Sequence, residues 1–221
     1  MLTKPLCDLS NDEILAHLRS KPDGLACLEA VQNFAKDGYM IIRSNTTLLD
    51  IDVEAIEKSI NSIRCQDLWQ INDEVRKLAT KEKILIQLEM LFGRPLRPFQ
   101  TLNFKSSPQQ NFHADYVHFS CHNHFMAGVS VLLEKVDEDQ GPLKVLVGSH
   151  KLGHPHYNDM GIIARADENT DPNTYSTGAY RRYEEYLEQY IDKYPIKKFT
   201  GNKGDIIIWH SALLHGSPLL G

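Results

Sequence analysis

The hydrophobic period of the chain changes at Pro98. Before it, apolar residues recur at the three-to-four spacing of helices; after it come short apolar runs bounded by turn residues, the pattern of strands. Ser10-Asn11-Asp12-Glu13 predicts a capping box, with Leu15 and Leu18 on one face of the helix that follows. Leu28, Val31 and Phe34 mark a second helix over Leu25–Ala35. Asp37-Gly38 ends it, and Tyr39–Ile42 reads as a strand. Three more helices are predicted over Val53–Ile63, Gln66–Leu78 and Lys81–Phe92. Beyond Pro98, strands are predicted at Gln100–Phe104, Phe112–Phe119, Met126–Val136, Leu143–Val147 and Asp205–His210. A polar stretch, Gly153–Gly178, precedes a strongly charged helix over Ala179–Tyr194. Short strands in series behind a helical layer predict a mainly β, α+β fold of the sandwich or jelly-roll kind rather than a parallel sheet. The 221 residues read as one domain, 1–221, with 1–95 mostly helical and 96–221 a jelly-roll core carrying a lid-like insertion at 153–178.

Composition excludes several classes. Lys plus Arg is 24 and Asp plus Glu 29, a net charge of −5, so no basic face announces a nucleic-acid partner. Met126–Leu133 and Ile206–Trp209, the longest apolar stretches, are too short to span a bilayer. The N-terminus turns acidic after its first lysine, unlike a secretory signal, and the expected location is the cytoplasm. Cys7, Cys27, Cys65 and Cys121 form no CxxC pair, which removes zinc ribbons and thioredoxin-like motifs. Histidine carries more information. Nine of the ten lie between His113 and His215, so the chemistry is expected in the C-terminal half.

His113-Ala114-Asp115 sits inside the predicted Phe112–Phe119 strand. Side chains alternate faces along a strand, so His113 and Asp115 point the same way. An imidazole and a carboxylate so placed can take two corners of a metal octahedron. A second histidine from elsewhere would complete the two-His, one-carboxylate triad of non-haem Fe(II) oxygenases, with three positions left open. Candidates for that histidine are His150, His154 and His156 at the mouth of the polar stretch, His210 at the end of an apolar strand, and His215 after Leu213-Leu214. Two histidines and an aspartate are also a ligand set for a zinc hydrolase.

Four segments together resemble the phytanoyl-CoA dioxygenase family: FHADYVHF, MAGVSVLLEKV, DQGPLKVLVGSHK and GDIIIWHSALLHGS, in the family's order. The resemblance runs from about Asp37 to the C-terminus. It implies a double-stranded β-helix, a cupin-like jelly roll, with Fe(II) held by His113, Asp115 and His215. It implies 2-oxoglutarate as co-substrate and dioxygen as oxidant, with release of succinate and CO2 and attack on a C–H bond of a small organic substrate. Related halogenases carry a small residue where Asp115 stands, so the resemblance favours hydroxylation or another oxidation. For the co-substrate it implies Ser217, Asn103 and, more distantly, Gln110. The family's carboxylate-binding Arg lies farther past the distal His than the six residues remaining after His215. The expectation is a chain without that Arg and the last barrel strand, either truncated or using another cation, Lys105 or Lys144. A degenerate member that binds metal without turnover is the alternative. Tyr116, His118 and Ser130 on the barrel strands, and His156, Tyr157 and Arg165 in the lid, are the expected substrate contacts. No basic cluster suits a CoA phosphate, and oligomeric state is not legible.

Overall fold

Helix α1 (Asn11–Arg19) begins at the predicted capping box. Ser10 N–H donates to Glu13 Oε2 at 2.9 Å, and Glu13 N–H donates back to Ser10 Oγ at 3.4 Å. Helix α2 (Leu28–Asp37) ends at Gly38, whose φ of 81° lies in the left-handed region that glycine tolerates. The site is also crowded. A Cβ at Gly38 would stand 2.5 Å from His150 Nδ1 and 2.7 Å from a Leu213 methyl. The turn lets the chain reverse at once into β1 (Tyr39–Ile42). The computed structural model describes residues 2–119, 122–152, 160–162 and 178–217. The remaining elements, in chain order, are α3 (Val53–Ser59), β2 (Arg64–Gln66), α4 (Asp73–Ala79), α5 (Glu82–Phe92), β3 (Leu102–Phe104), β4 (Ala127–Val131), β5 (Lys144–Leu146), α6 (Ala179–Ile191), β6 (Ile196–Lys198), β7 (Ile206–His210) and β8 (His215–Gly216).

Among the described residues the strands form two three-stranded antiparallel sheets, β1-β7-β4 and β6-β5-β8, and a β2-β3 ribbon, with no closed barrel. Alternation gives β7 two different faces. Ile206 and Ile208 pack outward on Ile14 and Leu18 of α1, Val31 and Phe34 of α2, and Ile84, Leu88, Leu91 and Phe92 of α5. Ile207 and Trp209 point inward, onto Val145 of the second sheet, Phe199 and Leu213. The second sheet turns its other face, Leu146, to α6 through Tyr183 and Leu187. Each of these fully buried large side chains contributes about 1.5–3 kcal/mol by leaving water. The order is thus helices, sheet, inner space, sheet, helix, and the inner space is where a site would be walled off from solvent.

Two expectations are corrected. Phe112–Phe119 is not a strand: His113 forms an isolated bridge with His215, and Asp115–His118 curls into a short 3-10 turn. The cause is a change of backbone partner, because Tyr116 N–H bonds Ser211 O rather than a strand edge. Ala114 between them is extended, at φ −116° and ψ 137°, so the alternation that faces His113 and Asp115 together survives where it matters. The predicted helix Gln66–Leu78 divides into a short turn, Leu68–Gln70, and α4, which starts where Asn72 Oδ1 accepts from Val75 N–H at 3.0 Å. The strands β2 and β6 have no period-2 signature, since three residues are too few to show one. The edge strand β6 is also lysine-rich, which blunts it against further pairing. The lid residues His156, Tyr157 and Arg165, with His154 and Asn158, lie outside the described residues.

Candidate metal centre

His113 and His215 face each other across a reciprocal backbone pair. His113 N–H donates to His215 O and His215 N–H donates to His113 O, both at 2.9 Å. Their rings stand 4.4 Å apart, centroid to centroid. Asp115 closes the group, its Oδ1 lying 3.4 Å from His215 Nε2 and 3.9 Å from His113 Nε2. Both imidazoles are buried, at 5% and 4% exposure.

The hydrogen bonds assign the tautomers. His113 Nδ1 donates to Asn111 O at 2.9 Å and His215 Nδ1 donates to Leu213 O at 2.8 Å. Each Nε2 is then the lone-pair nitrogen, and both are aimed at a carboxylate oxygen. Lone pairs converging in a buried space repel one another unless a cation sits among them. Burial is the first cause holding His113 neutral, with the neighbouring His215 adding to it, and its pKa falls to about 3. Burial also opposes charge on His215, but the Asp115 carboxylate outweighs it, and that imidazole titrates above its ordinary value. Burial likewise opposes the charge of Asp115, yet His215, His113 and the Trp209 N–H together hold it ionised, well below the usual carboxylate range. When His215 takes up a proton at Nε2, the Asp115 carboxylate is there to accept from it, and a divalent cation would replace that proton.

A second group, Cys7, Asp8 and His210, also brings three ligand atoms together. Its chemistry differs. His210 Nδ1 accepts from Ala212 N–H at 3.1 Å, so Nε2 carries the proton and faces Asp8 Oδ1 at 3.3 Å. No imidazole lone pair is open there, and burial raises the Cys7 thiol far above its usual pKa. This group clasps the N-terminal segment to β7, with the His210 ring stacked on Phe92. Of the other candidate histidines, His150 is buried 5.5 Å from the His210 ring, beside α2, with its Nε2–H donating to Ala35 O at 3.1 Å.

His150 makes a pH prediction. Burial first, and then the adjacent His210 and Lys151, lower its pKa to about 4, against the raising effects of Ala35 O and Asp8. The unfolded chain titrates near about 6.5 and so binds more protons than the folded chain between the two values. Stability is then full above about pH 6.5 and is lost as pH falls to about 4, by about 3 kcal/mol from this group. Denaturant unfolding of His150→Gln at pH 7 and pH 4 is expected to show a loss smaller by roughly that amount. Parallel curves for the two proteins would contradict the assignment.

The other expected residues divide into two sets. Ser217 is buried, returns to the face of His215 by alternation, and its Oγ accepts from Gln110 N–H at 3.3 Å, which leaves its own O–H to donate. Gln110 O accepts from Ser217 N–H at 2.8 Å, so Gln110 holds Ser217 through its backbone. A Cβ at Gly216 would stand 2.7 Å from both Gln110 O and Asn111 O, which explains a small residue between His215 and Ser217. His118 is near the group, 6.1 Å from the His113 ring and 5.0 Å from Tyr180. Burial lowers its pKa, and the charges of Asp115, His215 and Arg64 reach it. Ser130 pairs with Ile207 and shares the inner face. Tyr116 instead enters the core beneath α6. Asn103 is half-buried on β3 opposite Cys65, and its Oδ1 is buried without a hydrogen-bond partner. Lys105 is exposed. Lys144 pairs with Gly216 and not with His215, so its side chain leaves the sheet on the face away from the imidazoles.

Three residues at this centre carry no sequence signal of their own. Trp209 Nε1–H donates to Asp115 Oδ2 at 2.9 Å, and its ring lies 4.9 Å from that of His215. Tyr183 of α6 accepts from Ala114 N–H at 3.0 Å through its hydroxyl, anchoring the backbone between two of the three side chains. Gly128 lies opposite Trp209 across the β4–β7 pair. A buried tryptophan needs an acceptor for its N–H, which is the one clue an inward-facing Trp209 offers.

The family model described as phytanoyl-CoA dioxygenase matches residues 22–218. The chain belongs to the phytanoyl-CoA dioxygenase family. A member of this family is a 2-oxoglutarate-dependent non-haem iron oxygenase, with Fe(II) as cofactor and 2-oxoglutarate as co-substrate. Solved structures share its fold. EctD from S. alaskensis with 2-oxoglutarate and 5-hydroxyectoine has a TM-score of 0.60 at 18% identity, covering 86% of this chain and 69% of its own. The carbocyclase SnoK from nogalamycin biosynthesis has a TM-score of 0.61 at 20% identity, covering 86% of this chain and 76% of its own. The epimerase SnoN from the same biosynthesis has a TM-score of 0.62 at 20% identity, covering 90% and 80%. A comparison with curated proteins finds no match. The likeness establishes the jelly-roll fold of this family member, in which the two sheets enclose His113, Asp115 and His215. Among the described residues no helix is long and apolar enough to cross a membrane.

Proposed function

We propose that this chain binds Fe(II) through His113, Asp115 and His215 and oxidises a small organic substrate, by hydroxylation in the simplest case, with conversion of 2-oxoglutarate and O2 to succinate and CO2. The observation that carries this reading is the convergence of two imidazole Nε2 atoms and one carboxylate oxygen in a buried space, a donor set that a divalent cation would satisfy. Bound there, iron supplies the activation of dioxygen that no side chain can perform. The chain's own residues do the rest. Asn111 O and Leu213 O hold the two imidazoles by their Nδ1–H. Val145, Ile207 and Leu213, each fully buried, put apolar side chains on the inner face, which would keep water from the site. Ser217 offers an O–H to a co-substrate carboxylate, and Gln110 sets its position. Asn103 has an orphaned buried amide oxygen; with the amide turned over, its N–H2 would donate to the same carboxylate. Arg64, whose charge reaches His118, is a better cation to test than Lys105, which is exposed, or Lys144, which leaves the sheet on the other face. His118 and Ser130 then stand as substrate contacts.

The fold does not choose the outcome. Its neighbours include a carbocyclase and an epimerase as well as a protein holding 5-hydroxyectoine, so the substrate class proposed is simply a small molecule. Helical and sheet parts share one core through Ile206 and Ile208, which supports one domain. The free Cys7, Cys27 and Cys65 fit a reducing compartment, which supports a cytoplasmic location. The test is succinate release from 2-oxoglutarate by protein loaded anaerobically with Fe(II) and then exposed to air. Slow succinate formation without substrate, absent with Zn(II), is expected. One bound iron without succinate would mean a degenerate member. Ester hydrolysis with Zn(II) and no succinate with Fe(II) would mean a hydrolase.

A further inference from the structure

We infer that Trp209 is a positioning residue that restricts Asp115 to binding metal through one oxygen, and that Gly128 supplies the space this requires. The inference rests on the reading that Asp115 is a metal ligand. The two oxygens of this carboxylate have different surroundings. Oδ1 faces both imidazoles, at 3.4 and 3.9 Å, whereas Oδ2 accepts the Trp209 N–H at 2.9 Å. An indole can only donate, so it binds Oδ2 as an acceptor and never competes with it for protons or metal. Because the acceptor is ionised, the bond is of the stronger, charge-assisted kind. Trp209 is 9% exposed, so water does not replace that bond.

A carboxylate free of such a donor can bind a cation through both oxygens. With two imidazoles already in place, a two-oxygen Asp115 would fill one of the three positions that a bidentate 2-oxo acid and dioxygen need. The indole N–H removes that option by occupying Oδ2 from the side. The cross-strand pairing makes the geometry possible. Gly128 is the residue directly opposite Trp209 on β4, and a Cβ there would overlap Cε2, Cζ2 and Nε1 of the indole. Only glycine at 128 lets the ring lie across the strand and carry its N–H to Asp115. The arrangement ties the His113–Asp115 segment to the β4–β7 pair, with which it shares no strand pairing among the described residues.

The experiment uses Co(II) as a spectroscopic stand-in, titrated into wild-type protein, Trp209→Phe, Gly128→Ala and His113→Ala, followed by 2-oxoglutarate. Far-UV circular dichroism of the metal-free proteins checks folding. Trp209→Phe keeps a ring in the inner space and removes the donor. It is expected to bind Co(II), to show a visible spectrum different from the wild type before 2-oxoglutarate is added, and to bind 2-oxoglutarate about tenfold more weakly. Gly128→Ala, which displaces the indole, is expected to move both readouts in the same direction. A Trp209→Phe protein with the wild-type spectrum and wild-type 2-oxoglutarate affinity overturns the inference. A wild type that takes up no Co(II), or a His113→Ala protein that binds it equally well, overturns the metal assignment instead. If Trp209→Phe does not fold, Trp209 replaced by benzothienylalanine keeps the ring shape, substitutes sulfur for the N–H, and is read by the same two criteria.

Discussion

Asp115→Ala is expected to lower Fe(II) affinity by more than about a hundredfold and to take succinate formation below detection, because losing a ligand costs more than the 10–100-fold typical of its supporting contacts. Equilibrium dialysis of iron against the variant and the wild type reads the first effect directly. A second readout needs no metal. The carboxylate is what holds the His215 imidazole above its ordinary pKa against burial. Without it burial is opposed only by the smaller effect of the Leu213 carbonyl, and the NMR titration of His215 in the metal-free variant should move from above about 6.5 to below it. The same residue sets the pH dependence of loading. With His215 as a ligand, metal and proton would compete for its Nε2, so in the wild type iron affinity is expected to fall as pH drops through the raised pKa of His215. An Asp115→Ala protein that binds iron as the wild type does would remove the triad from consideration.

Ile208→Ala is expected to destabilise the protein by about 4 kcal/mol and to lower Tm by roughly 10 °C. Ile208 is fully buried between β7 and the three helices α1, α2 and α5, where the space left by its side chain cannot collapse without moving two layers. It points away from the imidazoles, on the face opposite Ile207 and Trp209. Cobalt and 2-oxoglutarate affinities measured well below the new Tm should therefore stay at wild-type values. Ile86→Ala is the control. That isoleucine on α5 is 54% exposed, and its loss should change stability by no more than about 0.5 kcal/mol. Equal effects at the two positions would contradict the layer order described above.

Local signals carried the secondary structure where they had a local cause. The capping box at Ser10, the left-handed Gly38 and the strand Tyr39–Ile42 stand where the sequence predicts them, because caps, φ preferences and short apolar runs act within a few residues. The His113-Ala114-Asp115 triplet was legible for the same reason, since one extended residue between two side chains is enough to face them together. The strand predicted around it was not formed, because its continuation depended on a backbone partner, Ser211, far along the chain.

What the sequence determined by itself is the class of site: an imidazole and a carboxylate at the right spacing, a set of histidines downstream, and motifs that place the chain in its family. The family resemblance named His215, but the residues alone left that choice open. Ile206–Trp209 is apolar on both faces, so periodicity cannot say which face turns toward the helices and which toward the second sheet. Only the docking of α1, α2 and α5 on Ile206 and Ile208 decides it, and with it sends His210 to Asp8 and Trp209 to Asp115. Trp209 and Asp115 are 94 residues apart, and their hydrogen bond depends on a glycine in the strand beside Trp209. Contacts of that range leave no trace in a local pattern, because alternation and helical spacing report how a side chain leaves its own backbone and not which strand will lie opposite it.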